Sequence, residues 1–137
     1  MQVIILMMLV AIIAGALYAA VVFLIGFIFG TLRVMLLIPA LSDTTAVLLE
    51  LPFILLASWF VCRWCVDRLG VCRSTQARAL MSVVAFVVLM VVEFGLGMIL
   101  GRRLVDQLAG LASPAGVIGL TAQVLFGLFP VVQVWRR

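Results

Sequence analysis

From Val3 to Leu32 the chain runs thirty residues without a charge. About 20 helical residues span the ~30 Å hydrocarbon core of a bilayer. This run therefore decides which solvent the chain folds in. Three further apolar runs follow, separated by short stretches rich in charge and turn residues. Spanning helices are expected at about 3–33, 44–69, 76–101 and 114–135. The composition agrees: 68% of the 137 residues are hydrophobic and 10% are charged, with a mean hydropathy of +1.46. Soluble domains carry about a quarter charged residues. The expected fold is all-α: a polytopic membrane protein with four transmembrane helices in an antiparallel bundle, forming one domain over 1–137.

Local signals set the breaks. Ser42 and Asp43 precede the second helix, and Ser74 and Thr75 precede the third. Ser113-Pro114 opens the fourth with proline at its first position, and Gly70 stops the second. The N-terminal run lacks a basic lead and is too long for a signal sequence, so it is expected to stay as a span. At 1.5 Å per residue it outruns the bilayer and must tilt, kink near Gly15 or protrude. Arg102-Arg103, Asp106 and the residues to Ala112 are expected to lie along an interface.

All nine basic residues are arginine, and their distribution suggests an orientation. With the N-terminus inside, Arg63, Arg68, Arg73, Arg78, Arg136 and Arg137 are cytoplasmic, against Arg33, Arg102 and Arg103 outside. Arginine gathers on the cytoplasmic side, so both termini are expected there, in a bacterial inner membrane. Trp64 and Trp135 then sit at the inner interface. No basic patch is interleaved with aromatics, which excludes nucleic acid.

Antiparallel threading brings five scattered polar residues to one depth. Glu50 lies about six residues, or roughly 9 Å, into the second helix from the outer side. Arg33, Glu93, Thr121 and Gln123 fall in the same outer third. Residues three, four and seven apart share a helix face. Arg33 then shares one with Gly26 and Gly30, and Glu50 with Ala46, Ala57 and Ser58. Glu93 goes with Gly97 and Gly101, and Gln123 with Gly116, Gly119 and Gly127. Small residues mark close helix contacts, and ionisable residues avoid lipid. An intramembrane polar cluster of Arg33, Glu50, Glu93, Thr121 and Gln123 is expected, with Arg33 paired to Glu50 or Glu93. Two carboxylates beside one arginine suit a structural or partner-contacting knot first, and a proton-coupled carrier second.

Pro52 cannot donate to Leu48, so helix 2 is expected to kink there or to restart at Pro52, with freed backbone groups at the cluster. Pro130 is expected to kink the fourth helix. Cys62-Arg-Trp-Cys65, with Cys72 nearby, lacks the histidine or second pair that a zinc site needs. Gly26-xxx-Gly30 and Gly97-xxx-Gly101 are read as packing motifs within the chain. There is no histidine, nucleophile elbow, phosphate loop or metal-ligand set, so neither an enzyme nor a cofactor is indicated.

The stretch from Gly30 to Pro52, GTLRVMLLIPALSDTTAVLLELP, together with Glu93, resembles uncharacterised four-helix inner-membrane proteins of similar length in proteobacteria. The resemblance covers most of the chain and implies a membrane protein, with no established activity. Fluoride channels and small multidrug carriers share its size and helix number. The latter keep a functional glutamate in their first helix, which this chain lacks. The first functional expectation is a non-enzymatic accessory or assembly subunit of a larger membrane complex. Its partners would be membrane lipids and other membrane subunits, or further copies of itself. The alternative is a small homo-oligomeric proton-coupled transporter or channel.

Overall fold

The computed structural model describes residues 1–37 and 43–135. Among these, every regular element is helical: α1 (Gln2–Leu32), α2 (Asp43–Leu69), α3 (Thr75–Ile99), α4 (Leu104–Gly110) and α5 (Pro114–Trp135). A π-helical turn, Arg33–Leu37, continues α1. The four long helices are long and apolar enough to cross a membrane, so the chain is an all-α, multi-pass bundle. Many of their residues are β-branched and disfavour helix in water. In lipid the helix satisfies every backbone group within its own segment, and this outweighs propensity. Ser42, Arg136 and Arg137 lie outside the described residues.

The ends are built as the local chemistry requires. Ser74 Oγ accepts from Ala77 N at 3.1 Å and caps α3. Ser113 Oγ accepts from Gly116 N at 3.0 Å beside Pro114, the first residue of α5. Gly70 and Gly101 have φ of 66° and 90°, the left-handed geometry that ends α2 and α3. α2 is continuous across Pro52, which corrects the expected restart there. α1 likewise runs unbroken through Gly15.

α1 and α5 each pack against both α2 and α3, so the helices circle the bundle in the order α1, α2, α5, α3. α2 and α3, neighbours in sequence, therefore face each other across a diagonal. The tightest approach is between α1 and α3. Ala11, Ala14, Gly15, Tyr18, Ala19 and Val22 form the buried stripe of α1. A Cβ on Gly15 would sit 2.7 Å from the Met81 carbonyl oxygen. The outward faces stay apolar: Leu24, Phe53, Phe60 and Val91 are each at least 60% exposed.

Two ends can now be distinguished. One carries the Gly70–Ser74 turn, the start of α1 and the end of α5. The other carries α4, which is exposed along nearly its whole length.

Candidate functional site

Near the α4 end the bundle interior turns polar. Arg33 closes α1, and Glu50 lies two turns into α2, running the opposite way. Arg33 Nη1 donates to Glu50 Oε2 at 2.7 Å, with 28% and 12% of their side-chain surfaces exposed. The Arg33 Nε is buried and has no partner. Across the bundle, α3 and α5 run antiparallel and bring Glu93 beside Gln123. Gln123 Nε2 donates to Glu93 Oε2. Among the described residues no cation lies within ion-pair reach of Glu93.

Both pairs line a partly open cavity of about 590 Å³ shared by all five helices. Phe23, Phe27, Phe94 and Phe126 supply much of its apolar wall. Ser58 also lines it, but its hydroxyl is taken by the Ile54 carbonyl of its own helix at 2.7 Å. α4 roofs the cavity through Gln107, whose amide lies against Gly97 and donates to Phe94 O and Arg102 O at 3.4 Å. Gly97 therefore makes room for Gln107 and not for a second long helix.

Two members of the expected constellation fall elsewhere. Thr121 is exposed and donates to Val117 O at 2.8 Å in its own helix. Pro52 and Leu48 are exposed too, so the carbonyl that Pro52 frees lies on the outer face and not at the cluster. One cause covers both cases. Residues two apart on a helix point roughly 200° apart. Gln123 facing inward turns Thr121 outward, and Glu50 facing inward turns Leu48 and Pro52 outward.

The floor of the cavity is a contact that spacing did not reveal. Pro130 is buried and cannot donate to Phe126 O, its usual partner four residues back. Tyr18, wholly buried on α1, reaches across the bundle and donates its hydroxyl to that oxygen at 2.7 Å. Its ring stacks on Phe126, with centroids 4.3 Å apart. Beyond the kink expected there, Pro130 thus frees an acceptor that Tyr18 fills.

Below this floor Arg78 is 2% exposed. It donates Nε to Cys72 O at 3.3 Å and Nη1 to Pro130 O at 3.2 Å. It had been counted among the loop arginines, and it instead holds α3 to α5 from inside. Gln133 adds a clamp by donating to Trp59 O at 3.0 Å, while Trp59 meets Phe129 edge-on at 5.2 Å. Cys62 and Cys65 are free thiols buried in the same apolar core as Tyr18 and Met81.

Tyr18, Arg78, Gln107 and Gln133 were missed from the sequence. A signal existed for Tyr18: it is the only tyrosine, and it sits on the stripe Ala11, Ala14, Gly15, Ala19 at spacings of three and four. Comparison with protein-family models, with curated proteins and with solved structures finds no match to this chain.

Proposed function

We propose that this chain is a non-enzymatic carrier of a bacterial inner membrane, with both termini in the cytoplasm and the cavity as its substrate chamber. The observation that supports this reading is Glu93. It is a carboxylate facing a large cavity, and its partner is an amide instead of a cation. A carboxylate so placed can hold a proton or a positively charged solute. Its cost inside a membrane argues for a use. With Arg78 taken out of the loop count, the exposed arginines still favour the turn end as cytoplasmic. The cavity then opens toward the periplasm. The stacked Tyr18 and Phe126 close it from the cytoplasm.

Proteoliposomes test this directly. They should show a pH-dependent flux that Glu93→Gln abolishes. No flux of proton, ion or organic solute across a broad panel would contradict the carrier reading.

The accessory-subunit reading is favoured by a different observation. Leu49, Phe53, Leu56, Phe60 and Trp64 form an exposed stripe along α2, each at least half exposed. Such a ridge suits a partner subunit or a second copy as well as lipid. Native mass spectrometry separates the readings by stoichiometry: a hetero-complex at native expression supports the accessory role, and a homo-oligomer the carrier.

A further inference from the structure

We infer that the cavity is a binding site for a soluble monovalent organic cation, with its ammonium-type head at Glu93 and its apolar body against the phenylalanine wall. The inference rests on the carrier reading for its biological use, but its chemistry stands on the lining alone. A volume of about 590 Å³ falls within the range of ligand sites, roughly 300–1,000 Å³.

Charge selects the ligand's sign. Arg33 is committed to Glu50 at 2.7 Å, so that pair presents little net charge. Arg102 lines the rim but is exposed to the surroundings, where its charge is screened. Glu93 is left as the interior carboxylate with no cation partner among the described residues. Gln123 engages its Oε2, and among the described residues nothing bonds its Oε1. An anion entering here would meet the Glu93 carboxylate with no cation beside it to offset it.

The wall selects the ligand's body. Phe23 and Phe27 of α1, Phe94 of α3 and Phe126 of α5 surround the space. Aromatic faces attract alkylammonium groups, and do so more strongly away from water. A small hydrated inorganic cation would gain nothing from these rings. The entrance lies at the Gln107 roof. Gln107 is the half-buried residue of an otherwise exposed α4, so few contacts hold that roof in place.

The test is a calorimetric titration of the purified full-length protein in nonionic detergent. The probes are benzyltrimethylammonium, its anionic counterpart benzenesulfonate, and neutral benzyl alcohol. Saturable binding of the cation alone is expected, weakened at least tenfold by Glu93→Gln. A second variant guards against a folding failure. Apart from its chain neighbours and the adjoining backbone of α5, nothing lies within 4 Å of a Cβ placed on Gly119, so Gly119→Phe can fill the cavity while keeping its charges, and should also abolish binding.

Absence of saturable cation binding, equal binding of benzenesulfonate, or an affinity unchanged in both variants would overturn the proposal. Nanodiscs identify the source. Equal affinity with and without phosphatidylethanolamine supports a soluble cation, and loss of binding in its presence would make the lipid headgroup the occupant and overturn it. Binding without flux would sink the carrier reading and leave this site standing. Flux of protons without cation binding would do the reverse.

Discussion

Tyr18 supplies to the Phe126 carbonyl the hydrogen bond that Pro130 withholds. The tyrosine is on α1 and the proline on α5, across a diagonal of the bundle. A proline in a membrane helix leaves a carbonyl without its donor, and the nearest hydroxyl satisfies it at 2.7 Å. The same contact stacks two rings and floors the cavity.

Tyr18→Phe keeps the ring and removes the donor. It should destabilise the protein by about 1–3 kcal/mol, the usual cost of a buried acceptor left unmade. Pro130→Ala restores a backbone N–H four residues after Phe126, so the double variant should recover part of that loss. Unfolding in mild detergent measures the coupling, and strictly additive effects would show that the two residues are independent.

At Gly15 the expected effect is steric. A methyl group there meets the Met81 carbonyl at 2.7 Å, with Val84 atoms at 3.1 and 3.2 Å. Backbone cannot yield as a side chain does, so Gly15→Ala should cost about 1–3 kcal/mol, the range for overpacking. Gly119→Ala, which meets nothing, should be nearly silent in the same assay.

The Arg33 and Glu50 pair should be asymmetric. Removing one partner of a buried ion pair costs about 3–5 kcal/mol, less where the pair is partly exposed as here. Glu50→Gln should be milder than Arg33→Leu, because an amide still accepts from the guanidinium while a lone carboxylate is left facing apolar walls. Equal losses in thermal stability would contradict this ordering.

Arg78 should tolerate no cation substitute. Its planar guanidinium reaches Cys72 O and Pro130 O from two different nitrogens. Lysine is a single point donor and cannot span both. Arg78→Lys should therefore destabilise the protein nearly as much as Arg78→Met, and full rescue by lysine would show that charge alone matters there.

The four long helices were legible because apolar length and turn chemistry are local properties. Their observed ends differ from the expected ones by no more than two residues, apart from the π-helical extension of α1. Arg33, Glu50, Glu93 and Gln123 could be placed at one depth because antiparallel threading is a matter of counting. Which of them touch depended on the circular order of helices, and nothing in the sequence encodes that order locally. Depth counting also carried Thr121 into the cluster, because it ignored rotation about the helix axis. Arg78 was misplaced for the opposite reason: proximity to a loop was taken for exposure. Gln107 entered through α4, whose fold back over Gly97 is a tertiary event.

Thiol accessibility tests the central claim, a cavity open at the α4 end and closed below by Tyr18 and Phe126. In a Cys72→Ser background, where the remaining Cys62 and Cys65 are buried, Gly119→Cys puts a reporter on the cavity wall with room around it. A membrane-impermeant maleimide added to intact spheroplasts should label this cysteine, and pre-incubation with benzyltrimethylammonium should slow the labelling. No labelling from the periplasmic side, or labelling only from the cytoplasmic side of inverted vesicles, would contradict the account.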